Sequence, residues 1–232
     1  MRRIAIIACG EVPPALQERY DYPPMFADLL TPFAPDLTFE AIAVFRGEPL
    51  PDPEDFDGYL FTGSRHGVYD QLPWIGATKA FIRAVADRRR PAVGVCFGHQ
   101  IMAEALGGKV EKARAGWGLG MQPYALRQDG TERTIFMPAF HQDQVIEKPG
   151  GSVVIAESAH CPLAGLRYAG PALSFQFHPE FGPAFLSELI DASEGRAITP
   201  DEAARARATI PDRPADPAPA RWMAALLRGA GG

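Results

Sequence analysis

Pro91-Ala-Val-Gly-Val-Cys-Phe-Gly-His-Gln100 is the stretch on which the reading of this chain turns. Its apolar run, Ala92 to Val95, is too short for a helix, is bounded by Pro91 and leads into a helical pattern. It therefore predicts a buried strand entering a helix. Cys96 stands at the joint, with Gly94 and Gly98 two residues to either side, giving the G-x-C-x-G counterpart of a nucleophile elbow. A side chain held on so sharp a turn leaves its backbone strained, and only hydrogens at the flanking positions let strand and helix approach closely enough to hold it. A free cysteine is more commonly a buried small hydrophobe. The glycine frame and the strand-to-helix position point instead to a thiol presented at a helix N-terminus, where unpaired N–H groups and the dipole favour thiolate.

Outward from this joint, Arg2 to Cys9, Leu37 to Phe45 and Asp57 to Thr62 predict further parallel strands. Helices are expected over about Pro24–Phe33 and Trp74–Arg89, and from the elbow to the stop at Gly107-Gly108. Between Lys109 and Gly170 the pattern changes to short alternating stretches, Met121 to Arg127, Val145 to Glu147 and Ser152 to Ala156, which read as antiparallel strands. Ala172 to Phe177 returns as a strand ending in His178-Pro179-Glu180, and Pro183 to Ile190 as a helix opened by proline. The expected fold is α/β: a mainly parallel central sheet flanked by helices, with an appended small antiparallel sheet and a C-terminal helical tail. Residues 1–191 read as one domain and 192–232 as a C-terminal extension. Within that extension Thr199 to Arg207 predicts a capped helix, Ile210 to Ala220 a proline-bearing linker, and Arg221 to Leu227 a short amphipathic helix. Trp222, Met223, Leu226 and Leu227 would dock that helix on its own domain, the favoured outcome, or on a second copy in a homodimer.

With 47% hydrophobic and 22% charged residues among 232, the composition is that of a globular chain able to bury one sizeable core. A net charge of -5 supplies no electrostatic attraction for nucleic acid or an anionic membrane, and neither is expected as a partner. The basic run Arg88-Arg-Arg90 falls at a helix C-terminus, where cations offset the dipole. Met1-Arg-Arg followed by Ile4 to Ala8 reads as a first strand rather than a signal peptide. Cys9, Cys96 and Cys161 are odd in number and widely spaced, which argues against a disulfide framework and for a reducing compartment, by default the cytoplasm.

A cysteine nucleophile needs a base, and the base an orienting partner. Of five histidines, His99 lies inside the elbow helix, suited to packing or an outer hydrogen bond, while His66 and His160 fall in loops. His141 and His178 remain. His178 ends a strand in the manner expected if it emerges at the same sheet edge as Cys96, and Glu180 follows across Pro179. That spacing lets the carboxylate bond one imidazole nitrogen while the other faces the thiol, so Cys96, His178 and Glu180 form a coherent triad.

Gly-Val-Cys-Phe-Gly-His-Gln followed downstream by Phe-Gln-Phe-His-Pro-Glu resembles the class I glutamine amidotransferase domain, the Cys-His-Glu type found in GMP synthase, over roughly residues 40–190. The resemblance implies release of ammonia from the glutamine side-chain amide through a γ-glutamyl thioester on Cys96, with His178 as general base and acid and Glu180 as its orienter. It further implies an oxyanion hole made by the N–H groups of Gly63, in Phe61-Thr-Gly-Ser64, and of Phe97. Gln100 matches a family position that binds the amino-acid end of the substrate. Phe140-His-Gln-Asp-Gln-Val145 resembles a segment bordering the glutamine pocket, which brings in Gln142 and Asp143. Two departures are visible: Thr62-Gly-Ser-Arg-His66 stands where relatives often carry Gly-Gly-Pro, and Gly116-Trp-Gly-Leu-Gly120 where they often carry a Glu-Gly pair.

Three readings follow. The first is a stand-alone amidotransferase that acts on glutamine and passes ammonia to a synthase partner, since the sequence holds neither a synthase segment nor a Ser-Gly-Gly-x-Asp-Ser phosphate loop. The second is a γ-glutamyl hydrolase or peptidase, with a bulkier leaving amine that needs an open pocket around Arg65, His66 and Trp117. The third is a non-catalytic module of the same fold. No cofactor is expected, and no metal, because His178 and Glu180 lack a third ligand at suitable spacing.

Overall fold

The computed structural model describes residues 1–128, 130–211 and 215–229. In chain order its elements are β1 (Arg2–Ala8), α1 (Tyr22–Leu30), β2 (Leu37–Ala43), β3 (Gly58–Phe61), α2 (Pro73–Asp87), β4 (Ala92–Val95), α3 (Phe97–Ala105), β5 (Lys109–Lys112), β6 (Gly118–Gln128), β7 (Thr131–His141), β8 (Asp143–Glu147), β9 (Val153–Glu157), β10 (Gly165–Arg167), β11 (Ala172–Phe175), α4 (Pro183–Ser193), α5 (Pro200–Arg207) and α6 (Ala218–Leu227). Nine strands form one sheet in the order β2-β1-β3-β4-β11-β10-β9-β6-β7, and β5 with β8 forms a separate antiparallel pair. The first five strands of that order run parallel, and the remaining pairings are antiparallel.

The apolar alternation of β1 shows why the parallel part is buried on both faces. Ile4 and Ile6 enter one core with Leu60, Val93, Val95 and Phe175. Ala5 and Ile7 enter a second with Tyr59, Phe61 and Ala92. Helices α2 and α3 cover the second core through Phe81, Ile82, Val85 and Ile101, and α1, α4 and α6 cover the first through Phe26, Leu186 and Leu227. A parallel sheet requires this double cover, because its crossovers return on both faces.

The α/β architecture agrees with the reading of the sequence. The antiparallel strands from β10 to β7 extend the main sheet, and the small separate sheet is the β5–β8 pair. α4 continues through Asp191 to Ser193, so the domain limit drawn at 191/192 falls inside a helix. α5 has the predicted cap: Thr199 Oγ1 accepts from Glu202 N at 3.3 Å while Glu202 Oε2 accepts from Thr199 N at 2.8 Å. Of the predicted linker, Asp212 to Pro214 lie outside the described residues and α6 already begins at Ala218. α6 packs on α1 and β4 of its own chain, with Met223 and Leu227 fully buried. No helix among the described residues is long and apolar enough to cross a membrane.

Candidate active site

Strand order brings the candidate residues together. β4 lies between β3 and β11, with Phe61 opposite Gly94 and Val95 opposite Phe175. Gly63, Cys96 and His178 follow these three neighbouring strands at their carboxyl ends, the edge at which open α/β sheets present their sites. Cys96 N donates to Phe175 O at 2.8 Å, which fixes the start of the elbow to the strand that delivers His178.

The turn at Cys96 is strained, with φ 55° and ψ -106°. Its glycine frame is a steric requirement. A Cβ on Gly98 would stand 2.0 Å from the Phe61 carbonyl oxygen, and one on Gly94 would stand 2.4 Å from the Gly98 oxygen. The chain is thus packed backbone against backbone on either side of the thiol, a contact any side chain would force apart.

His178 is buried, and its Nδ1 donates to Glu180 Oε1 at 2.7 Å, both side chains being almost inaccessible. That bond leaves Nε2 for the sulfur. A Cβ on Gly63 would lie 3.4 Å from His178 Cε1 and 3.9 Å from Cys96 Cβ, so imidazole, thiol carbon and the turn after β3 converge on one point. Burial works against a charged imidazole, but the Glu180 carboxylate, charge on Cys96 and the hydrogen bonds to both outweigh it and raise His178 to about 10. The ring is also clamped: it stacks on Phe181 at 3.9 Å with an interplanar angle of 8°, and Phe181 stacks in turn on Tyr22 at 6.2 Å. Burial, with further contributions from charge on Cys96 and Glu180, pushes the Tyr22 phenol up.

His141, the other candidate base, is also buried, but among the described residues neither ring nitrogen has a side-chain partner, and burial drives it down to about 3. His99 donates to or accepts from Ser174 Oγ at 2.7 Å behind the elbow, an outer role as its position in the helix implied. The other two cysteines are buried and free, and burial raises Cys161 to about 12 and Cys9 likewise upward. Such thiols are inert.

Neither the N–H of Gly63 nor that of Phe97 donates to another group among the described residues. The Phe97 ring turns into the second core and leaves its amide at the first position of α3. Gln100 directs both donors of its amide to the protein, to Asp143 O at 2.9 Å and Gln176 Oε1 at 3.1 Å, so its own carbonyl oxygen is what it can offer a ligand. Asp143 Oδ2 accepts from Tyr69 OH at 2.9 Å. Gly63, Cys96, Gln100, Gln142, Asp143 and His178 line one cavity of about 700 Å³, which extends past Arg65, His66 and Trp117. Tyr22 and, around the end of α4, Ala192, Ser193, Arg196 and Ala197 also line it, and the sequence reading missed both places. Only the proline pair after Tyr22, which starts α1, marks that position locally, and nothing local marks the other. Among the described residues no three His, Cys, Asp or Glu side chains are grouped as metal ligands.

A thiol on a strained strand-to-helix turn, beside a buried His–carboxylate pair at the edge of a parallel sheet, defines an α/β fold of the elbow type with a cysteine placed as a thiol nucleophile would be. The class-I glutamine amidotransferase family profile matches residues 46–187, more than half of the chain, and the chain belongs to that family. A γ-glutamyl peptidase, number 5 of Arabidopsis thaliana, is 27% identical over 80% of this chain and 78% of its own length. One subunit of the glutamine-hydrolysing GMP synthase of Sulfolobus acidocaldarius is 28% identical over 62% of this chain and 78% of its own. Among solved structures, a glutamine amidotransferase from Methylobacillus flagellatus superposes with a TM-score of 0.75 at 22% identity, covering 98% of this chain and 93% of that one.

Proposed function

We propose that the protein is a cysteine γ-glutamyl hydrolase that cleaves γ-glutamyl amides larger than glutamine. The observation that carries this reading is the cavity. At about 700 Å³ it has the size of a site for a drug-sized ligand, well beyond what a free glutamine fills. Its extension past Arg65, His66 and Trp117 offers the space that a leaving amine beyond the γ-carbonyl needs. The γ-glutamyl peptidase relative supports the same reading, since it aligns over more of the chain than the GMP synthase relative does, at nearly equal identity.

The mechanism assigns Cys96 as nucleophile, His178 as proton carrier and Glu180 as its orienter. With His178 raised to about 10, the imidazole is the group that holds the proton while the sulfur of Cys96 attacks. That attack falls on the γ-carbonyl, and the oxyanion forms against the N–H groups of Gly63 and Phe97. Collapse breaks the C–N bond, and the Nε2 proton of His178 passes to the leaving amine. Neutral His178 then takes a proton from water, hydroxide adds to the thioester, the C–S bond breaks, and glutamate leaves with the sulfur freed and the proton again on His178. Gln100, Gln142 and Asp143 hold the amino-acid end, Gln100 through its carbonyl oxygen.

Incubation with glutamine and with a series of γ-glutamyl amides, trapping the acyl-enzyme by mass spectrometry, tests the reading. The expected result is a +γ-glutamyl adduct on Cys96 and a higher kcat/KM for extended amides. Glutamine as the best substrate would return the protein to the ammonia-producing role, feeding a synthase partner.

A further inference from the structure

Six charged side chains besides the catalytic candidates line the cavity wall, and their bonding divides them by sign. The acids are all engaged: Glu11 pairs with Arg46 at 2.6 Å, Asp70 with His66 Nδ1 at 3.0 Å, and Asp143 accepts from Tyr69 OH at 2.9 Å. The cations are not. Among the described residues Arg65, Lys112 and Arg196 line the same cavity without an ion pair or a side-chain hydrogen bond. A γ-glutamyl group brings one α-carboxylate, and its α-amino group cancels that charge, so three uncommitted cations exceed what this half of a substrate can use.

Position separates the three. Lys112 is registered opposite Asp143 in the β5–β8 pair, beside the residues assigned to the amino-acid end. Arg65 follows the turn after β3 by a few residues, and Arg196 lies just beyond α4, outside the span matched by the family profile. Neither segment carries an amino-acid-end candidate. We infer that Arg65 and Arg196 select a leaving amine that itself bears a carboxylate, so that the substrate class is γ-glutamyl amino acids and peptides rather than neutral γ-glutamyl amides. This rests on the γ-glutamyl hydrolase reading and specifies its substrate. It assigns a recognition role to the 192–232 segment, which the family match leaves out. Guanidinium groups suit the task, since each can grip a carboxylate through two parallel N–H donors.

The deciding experiment compares γ-glutamylglycine with γ-glutamylglycinamide, which differ at the terminal carboxylate alone. The wild type is expected to favour the acid in kcat/KM by about tenfold or more, mostly through KM, as hydrogen-bonded charge recognition allows. In R65A/R196A the preference should fall to near parity. Added salt should erode the wild-type preference and leave the variant unmoved. Equal kcat/KM for both compounds in the wild type, or a preference that survives in R65A/R196A, overturns this inference and leaves γ-glutamyl hydrolysis standing. Cleavage of neither compound overturns the hydrolase reading, and this inference with it.

Discussion

The join of β3, β4 and β11 and the belt of segments around the cavity mouth are held together by different means. At the join the close approaches are between main-chain atoms: Phe61 O under Gly98, Gly98 O under Gly94, and Phe175 O on Cys96 N. Around the mouth, side chains reach toward solvent: Tyr69 bonds Asp143, and Arg65, Lys112 and Arg196 line the cavity without an ion pair or side-chain hydrogen bond among the described residues. The difference teaches that reactivity here is written into backbone geometry, which tolerates little substitution, whereas choice of substrate rests on replaceable side chains.

The comparison breaks most sharply at Cys96. Cys96→Ala is expected to lower γ-glutamyl hydrolysis by at least about 10⁴-fold, since removal of a nucleophile disables the whole unit. The circular dichroism spectrum and melting temperature should stay close to wild type; retained turnover would move the chemistry away from the join. Next in size is Gly98→Ala, whose methyl would collide with the Phe61 carbonyl and cost about 3 kcal/mol or more in urea unfolding. Gly76→Ala in α2 is the control, since a Cβ there meets nothing within 4 Å, and it should gain about 0.5–1 kcal/mol. Equal effects at the two glycines would remove the distinction between a backbone-packed join and ordinary helix surface.

Glu180→Gln sharpens the comparison through pH. The folded His178 sits at about 10, above the 6.5 of an unperturbed histidine, because Glu180 and Cys96 outweigh burial. The folded state therefore binds the extra proton, and its stabilising contribution is complete below pH 6.5 and is lost as pH rises toward 10. Wild-type urea midpoints should fall across that window. The Gln variant should show a flatter profile, and its kcat/KM should drop by roughly 10²-fold, the order of a misoriented general acid–base. A slope unchanged in the variant would separate Glu180 from the ring it bonds. Smallest is Tyr69→Phe, which removes one partly exposed hydrogen bond to Asp143; KM should rise by about two- to tenfold with kcat held. A fall in kcat instead would draw Tyr69 into the join.

β1, β3, β4 and β11 were legible in the sequence because each is a short, largely apolar run with glycine or proline close to its end, a pattern that needs no partner to be recognised; β2, at the sheet edge, carries Thr38 and Glu40 and showed itself by Phe39 and Ile42 alone. The elbow was legible for the same reason: Gly94, Cys96 and Gly98 lie within five positions. β7 was harder, since Thr131 to Thr134 are exposed and Pro138, a residue that disfavours strands, lies within it. Its pairing with β6, from Gly118–His141 to Gln128–Thr131, is a property of two segments together. The cavity wall was legible least. Tyr22 and Arg196 reach the site from positions far from Cys96, and nothing local beyond the proline pair after Tyr22 marks either. Conversely Gln100, identified from family resemblance alone, proves to have its donors spent within the protein, a bonding detail that only coordinates reveal.

The contact of Gly98 with Phe61 has a consequence for anyone re-engineering this scaffold. Because the helix that follows Cys96 rests directly on the strand that leads into Gly63, the two cannot drift independently, and a shift of one drags the other along. Loop grafts around the rim could therefore be exchanged freely without disturbing reaction geometry, so long as that single main-chain seam is left closed.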